Sequence, residues 1–176
     1  MSIEIEVLNG GESSSMAKTL FDMVWPPDVV AKTPWAGIVF ADADLRVLVQ
    51  VEGEGLVCHV SIFRREAKWN GRKIQVGGIG GVATREDLRR RGYASVALNA
   101  AIQTLKDEGA TDFALLFCEP GNVPFYVERG WKPFAGEIYA DQPAGRGRFD
   151  AIAPLVFDLN GRAPLQGTID LCGLPW

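Results

Sequence analysis

The fold is decided by the stretch Gly81-Val-Ala-Thr-Arg-Glu-Asp-Leu-Arg-Arg-Arg-Gly-Tyr-Ala-Ser95. In this stretch an apolar strand runs into a basic loop, and the loop leads directly into a helix. Apolar residues then recur at helical spacing from about residue 91 until Gly109, which is a good C-terminal stop. The first amides of a helix lack internal partners and the helix dipole is positive there, which favours phosphate. Gly92 lets a phosphate approach the backbone, so we predict anion binding at Arg89–Ala94. A solvated, arginine-rich turn is the alternative interpretation.

Two other phosphate-binding loops are disfavoured by spacing. No GxxxxGK[S/T] segment occurs in the chain. Gly78-Ile-Gly-Gly-Val-Ala83 matches GxGxxA, but a charged loop follows it instead of a helix. We therefore expect neither a Walker loop nor a dinucleotide-binding fold.

The helix predicted from residue 91 joins two strands. Residues 73–84 lead into it, and the apolar run at 112–118 has the length of a strand covered on both faces. Such a crossover unit predicts that the two strands are parallel. The third strand of a meander ends at 84, and Asn70-Gly71 marks the hairpin before it.

The rest of the chain completes a mixed α/β pattern. The other predicted elements are a strand at 3–7, a helix at 13–24, a loop at 26–44, strands at 46–51 and 55–64, a short helix at 122–129, a strand from Trp131, a loop at 142–148 and a strand at 151–158. No linker or internal repeat divides them. We therefore expect a single domain over residues 1–176.

Composition excludes several classes of protein. A formal charge of −4 and a pI near 5.1 disfavour a nucleic-acid partner. Three cysteines without a CxxC pair favour neither a disulfide framework nor a zinc site, and no metal is predicted. The first residues lack the pattern of a signal peptide and the apolar runs are too short to span a bilayer. We expect a cytoplasmic protein without a membrane partner.

Two motifs together resemble the GNAT family of N-acetyltransferases. Arg89-Arg-Arg-Gly-Tyr-Ala94 resembles the R/Q-x-x-G-x-G/A pyrophosphate loop of that family. Asn122-x-x-Phe-Tyr-x-x-x-Gly-Trp131 resembles its later signature, and the two motifs lie at the family's separation. The likeness covers about residues 45–135, and Gly77–Trp131 is most similar to the aminoglycoside 2′-N-acetyltransferase branch.

The resemblance implies a GNAT acyl-CoA N-acyltransferase fold, with a mostly antiparallel mixed sheet and a β-α-β core that binds acetyl-CoA. It also implies direct transfer of the acetyl group to a primary amine, with no metal. Tyr126 matches the general acid of the family, although a core tyrosine is the other interpretation. The implied cofactor-binding residues are Gly81, Val82, Ala83, Thr84, Arg89, Arg90, Arg91, Gly92, Tyr93, Ala94, Asn122 and Phe125.

The proton acceptor stays open. Relatives often carry a glutamate on the third meander strand, and the matching position here is Gly80. No acidic residue lies between Ile74 and Thr84. Glu119, the C-terminal carboxylate of Trp176 or a water chain remain candidates, and the substrate could also bind as the free amine.

The acceptor is expected to be a small cationic amine. Trp35 and Trp176 are the predicted substrate-binding residues, and acids in the loop 25–44 suit a cation, although packed tryptophans and surface acids explain them equally well. His59 is interpreted as structural, and a covalent route through Cys118 is disfavoured because no histidine neighbour is evident. The alternatives are acetylation of protein lysines or N-termini, and a non-catalytic acyl-CoA sensor. Since such relatives are often dimers, a homodimer is an expectation.

Overall fold

The computed structural model describes all 176 residues, which form one ten-stranded sheet with helices on it. The helices are α1 (Ser14–Val24), α2 (Pro27–Val30), α3 (Tyr93–Glu108) and α4 (Val123–Val127). The strands are β1 (Ile3–Asn9), β2 (Leu45–Val51), β3 (Gly55–Trp69), β4 (Arg72–Thr84), β5 (Phe113–Cys118), β6 (Lys132–Pro133), β7 (Glu137–Gln142), β8 (Gly145–Arg148), β9 (Ala153–Asp158) and β10 (Thr168–Asp170).

The sheet is mixed, as predicted. Its order is β6-β9-β5-β4-β3-β10-β7-β8, and β2 joins β1 to the first half of β3. Only β4–β5 and β10–β7 are parallel pairs. The parallel β4–β5 pair around α3 confirms the crossover unit that the sequence predicts.

The hairpin between β3 and β4 forms at the predicted dipeptide. Asn70 has φ 47° and Gly71 has φ 81°, and two successive positive φ values are what a tight two-residue hairpin turn requires. The strands it joins are long because β3 continues to Trp69, beyond the predicted end at residue 64. Four of residues 64–68 are charged and only Ala67 is buried there, which hid the second half of the strand.

The observed elements differ from the sequence-based expectation at four further places. α3 begins at Tyr93 and not at residue 91, because Arg90 (φ 64°) and Gly92 (φ 85°) hold the left-handed conformation just before it. Residues 142–148 contain the end of β7, a turn and β8 instead of a loop, since the Gly and Pro content and the exposure of β8 concealed the hairpin. β6 has only two residues, and the tail forms the unpredicted strand β10.

Two hydrophobic cores lie on opposite faces of the sheet. One is built around α3 and includes Ile79, Leu105 and Tyr126, and the other includes Phe63, Phe117 and Trp176. Two glycines of β4 allow close packing against the two cores, one on each face of the sheet. A Cβ at Gly77 would lie 2.6 Å from Leu105 of α3, and a Cβ at Gly78 would lie 2.5 Å from the Trp176 indole. The glycine-rich strand is therefore needed for close packing by the chain itself. No helix is long and apolar enough to cross a membrane.

Candidate active site

The two parallel strands separate at the centre of the sheet. β4 and β5 pair from Val76–Phe113 to Ile79–Leu116 and no further. On its other edge, β4 shifts register against β3 between His59 and Ser61. A bulge of this kind bends a strand and increases its local twist. A gap in the sheet follows, with strand ends on both sides.

A cavity of about 340 Å³ occupies this gap and reaches both faces of the sheet. Residues of the α3-side core border it together with residues of the opposite core. The lining residues are Phe21, Trp25, Trp35, Phe40, Ala41, Asp42, Ala43, Arg46, Ser61, Phe63, Ile79, Gly80, Gly81, Val82, Leu116, Phe117, Cys118, Glu119, Asn122, Tyr126, Ile152 and Trp176. Because residues of both cores border the cavity, two molecules that approach from opposite faces of the sheet could meet in it.

A buried histidine braces the bulge. Nδ1 of His59 lies 2.6 Å from the Gly81 carbonyl oxygen, which can only accept, so Nδ1 carries the proton and donates. Nε2 then accepts a hydrogen bond from Nη1 of Arg46 at 3.0 Å. Burial lowers the pKa of His59 to about 4, which keeps the ring neutral in this arrangement. Gly81 itself has φ 54°, a left-handed conformation that favours glycine.

The bracing is a structural role, as the sequence indicated for His59, but the sequence could not identify the group that the ring contacts. Gly81 lies 22 residues away in the sequence, and only the β3–β4 pairing brings the carbonyl to the ring. A Cβ at Gly81 would lie 2.9 Å from Oγ of Ser61 and 3.0 Å from the His59 ring. Glycine is therefore required here by conformation and by space.

Tyr126, which the resemblance assigns as the proton donor, lies in α4 and borders the cavity. The residue is buried, and its ring packs edge-on against Phe125 and Trp131. Burial raises the pKa of the Tyr126 phenol well above its usual value, and the neighbouring Cys118 and Cys58 thiols add to the effect. The side chain therefore stays a neutral phenol at physiological pH and has a proton to give.

Cys118 also lines the cavity, at the end of β5. Burial raises the pKa of its thiol to about 11, and the nearby Glu119 carboxylate adds to the rise. A thiol in this environment is protonated near neutral pH, whereas the thiolate is the nucleophilic form. The site thus lacks an activated cysteine nucleophile.

The start of α3 has the features of an anion cradle. The amides of residues 90–95 donate no hydrogen bond to another group of the chain, whereas Val96 N already bonds to Gly92 O. The side chains of Arg89–Arg91 are exposed, and those of Arg90 and Arg91 form no ion pair. Unpaired amides at a helix start together with free guanidinium groups suit a phosphate.

The structure brings some of the predicted residues together and not others. Gly81, Val82, Asn122, Tyr126, Trp35 and Trp176 line the cavity. Among the other predicted cofactor-binding residues, Tyr93 and Ala83 are buried. Oγ1 of Thr84 donates to Sγ of Cys58 at 3.3 Å, and the Phe125 ring lies 3.6 Å below the Arg129 guanidinium. The side chains of these four residues thus lie outside the cavity.

Trp176 takes the place of the side chain that Gly80 lacks. A Cβ on Gly80 would lie 3.3 Å from the main-chain carboxyl carbon of Trp176 and 3.3 Å from Phe63. Nε1 of Trp176 donates to the Leu115 carbonyl oxygen at 3.0 Å, and its ring stacks on Phe63 with centroids 5.8 Å apart. Asp42 and Glu119 are the only side-chain carboxylates that border the cavity.

Four aromatic rings form a wall on the side of the cavity away from α3. Phe21 and Trp25 come from α1 and its end, and Trp35 and Phe40 come from the loop before β2. Successive ring centroids lie 5.5 to 5.9 Å apart. Trp35 is a predicted substrate-binding residue and Trp25 lies in the same loop 25–44 that is expected to select the substrate, whereas Phe21 has the spacing of an ordinary helix core residue. We call these four residues the aromatic wall.

The sequence matches known acetyltransferases. A family model described as an acetyltransferase (GNAT) domain matches residues 27–134. The aminoglycoside 2′-N-acetyltransferase of Mycolicibacterium fortuitum is 31% identical over 90 residues, which make up 51% of this chain and 45% of that protein. The match thus spans less than half of that relative.

The fold matches solved acetyltransferase structures. The Escherichia coli GNAT family N-acetyltransferase YhbS, in complex with CoA, has a TM-score of 0.62 at 17% identity and covers 96% of this chain and 89% of its own. Escherichia coli ElaA also has a TM-score of 0.62 at 17% identity, with 89% of this chain and 100% of its own. At 17% identity, these structural matches establish the fold alone. No group of three or more His, Cys, Asp or Glu side chains is placed to hold a metal ion.

Proposed function

The chain belongs to the GNAT acetyltransferase family, and we propose that it transfers the acetyl group of acetyl-CoA directly to the primary amine of a small cationic molecule. The observation that carries this proposal is the cavity in the gap between β4 and β5, which is lined by residues of both cores of the sheet. Donor and acceptor can enter from opposite faces and meet beside Tyr126.

The donor would occupy the α3 side. The free amides of residues 90–95 would hold the pyrophosphate, with Arg90 and Arg91 supplying positive charge. The pantetheine arm would lie along the unpaired ends of β4 and β5, where strand edges offer amide and carbonyl groups. Gly81 and Val82 border the cavity there, and amides beside them would polarise the thioester carbonyl.

Tyr126 would protonate the leaving group. The amine nitrogen attacks the thioester carbon, the carbon–sulfur bond breaks, and the CoA thiolate takes the phenolic proton. A raised pKa makes a phenol a weaker acid, but the thiolate leaves into the same dry cavity. Burial there raises the pKa of the Cys118 thiol to about 11, and the same desolvation makes the CoA thiolate a stronger base. Desolvation thus raises the pKa of the thiol as well as that of the phenol, which partly offsets the weaker acidity of Tyr126.

The amine must lose a proton before it attacks. Glu119 and Asp42 border the cavity, and the main-chain carboxyl carbon of Trp176 lies closest to the place where relatives carry glutamate. Comparing Glu119→Gln, Asp42→Asn and a chain extended by one glycine after Trp176 identifies the acceptor. Loss of the base would lower kcat and shift the rising limb of the pH–rate profile to higher pH. A change at a non-participating carboxyl group would leave the limb in place.

The role of Tyr126 is tested by Tyr126→Phe, which keeps the buried ring and removes only the hydroxyl group. We expect kcat to fall by about 10²–10⁴-fold, the usual contribution of general acid catalysis. The Kd of acetyl-CoA measured by calorimetry should change less than about threefold, because the pyrophosphate cradle is untouched. Unchanged kcat would refute the acid role. Tight acetyl-CoA binding by the unaltered protein without turnover on any amine would instead favour an acyl-CoA sensor.

A further inference from the structure

We infer that the acceptor is a compact monoamine that carries an aromatic body, such as an arylalkylamine, and is not a polycation. This inference rests on the proposed function and specifies its substrate class. It departs from the polyamino sugars that the name of the matched relative suggests. Three properties of the acceptor side of the cavity carry it: the few charges, the aromatic wall and the small volume.

Few charged groups line the cavity. Fifteen of its 22 lining residues are hydrophobic, and its only charged side chains are Asp42, Glu119 and Arg46. These three side chains carry a net charge of −1, so one ammonium group balances them, and a second or third would lose its water without a matching net negative charge, which is costly. Arg46 would also repel it, since its guanidinium is held in place by His59. The charges present therefore suit one ammonium group.

The aromatic wall offers a surface for a flat apolar group. Trp25 meets Trp35 at 84° and Trp35 meets Phe40 at 71°, with centroids 5.8 and 5.9 Å apart. Rings set at steep angles present both faces and edges, so an incoming ring can stack on one and meet the edge of the next. The same faces attract a nearby ammonium group. The four residues are partly exposed, which leaves ring surface for a ligand.

The volume limits the size of the acceptor. About 340 Å³ is near the lower end of the roughly 300–1,000 Å³ typical of small-molecule sites. Part of this space borders Gly81, Asn122 and Tyr126 and would be taken by the pantetheine arm and acetyl group. The remainder suits one ring and a short chain. A sugar of two or three rings with several ammonium groups exceeds it.

The test compares 2-phenylethylamine, spermidine and kanamycin as acceptors, with release of free thiol from acetyl-CoA as the readout. We expect kcat/KM for 2-phenylethylamine to exceed those for spermidine and kanamycin by at least about 10-fold, the effect of one or two aromatic contacts. Quenching of tryptophan fluorescence measures amine binding independently of turnover. Preference for spermidine or kanamycin would overturn the inference and leave the acetyltransferase proposal intact.

Variants of Trp35 connect the preference to the aromatic wall. Trp35→Ala should raise KM for 2-phenylethylamine about 10-fold and leave KM for acetyl-CoA unchanged, whereas Trp35→Phe should retain most of the affinity. Trp69→Ala is the matched control, because Trp69 is a partly buried tryptophan outside the cavity. If no amine is turned over although acetyl-CoA binds, absence of 2-phenylethylamine binding in the fluorescence assay overturns the inference separately. An unchanged KM in Trp35→Ala overturns it as well.

Discussion

Acidification should destabilise the folded protein through His59 in particular. The imidazole is buried as a neutral ring between Gly81 and Arg46, and its pKa falls from 6.5 to about 4 on folding. The unfolded chain therefore binds the proton first as the pH falls. This contribution to stability is complete above about pH 6.5 and is lost progressively as the pH falls towards 4.

The magnitude follows from the two pKa values. At about 1.36 kcal/mol for each pH unit between 6.5 and about 4, His59 lowers the free energy of unfolding by about 3 kcal/mol between pH 7 and pH 4. Asp87, Glu108 and Asp158 have lowered pKa values and also lose stabilising charge on acidification. A comparison with a His59 variant separates the histidine from these carboxylates.

The assay is urea unfolding of the unaltered protein and of His59→Asn at pH 7, 6, 5 and 4. Asparagine keeps an N–H donor near Gly81 and does not titrate. Between pH 7 and pH 4, the free energy of unfolding of His59→Asn should therefore fall by about 3 kcal/mol less than that of the unaltered protein. Because His59 is the only histidine in the chain, its Hε1 proton gives one NMR signal, and the change of its chemical shift with pH reports the pKa directly. An NMR titration midpoint of His59 near pH 6.5 in the folded protein would refute this account of the bulge. An equal pH dependence of the free energy of unfolding in the two proteins would refute it as well.

Three other substitutions test separate parts of the site. Cys118→Ser should keep kcat within about threefold, because a thiol whose pKa is raised to about 11 is not the nucleophile; loss of turnover with an acetylated cysteine in the unaltered protein would contradict direct transfer. Gly92→Ala should weaken acetyl-CoA binding by about 10-fold, since it places a Cβ at φ 85° in the cradle at a cost of about 1–2 kcal/mol, whereas Gly147→Ala, at a glycine without positive φ, should not change the Kd measured by calorimetry. Trp176→Phe should lower the free energy of unfolding by about 1–3 kcal/mol, because the Leu115 carbonyl loses its indole donor; a urea midpoint equal to that of the unaltered protein would mean that this hydrogen bond contributes nothing.

Features coded by neighbouring residues could be predicted from the sequence. The segment from Gly81 to Ser95 carries the end of a strand, a loop and a helix start in one stretch, and in the structure β4 ends at Thr84 and α3 begins at Tyr93. Asn70-Gly71 likewise fixes its hairpin through local backbone preference. The GNAT resemblance drawn from two motifs is confirmed by the family match.

Features made by distant residues could not be predicted in this way. The contact of Trp176 with Gly78 and Gly80 depends on the path of the tail across the sheet, and its indole bonds to a residue 61 positions away. The strand β8 is exposed and consists of alternating glycine and arginine, so it shows no alternation of apolar residues. The aromatic wall joins α1 to a loop that has no regular periodicity.

Acetyl transfer in the cavity is tested most directly by initial rates of thiol release from acetyl-CoA while acetyl-CoA and an amine are varied together, with mass spectrometry of the amine product. We expect release to require both substrates, intersecting double-reciprocal lines that indicate a ternary complex, and an N-acetylated amine. Parallel lines with an acetylated protein would contradict direct transfer. No amine-dependent release, together with no binding of acetyl-CoA, would contradict the proposed activity as a whole.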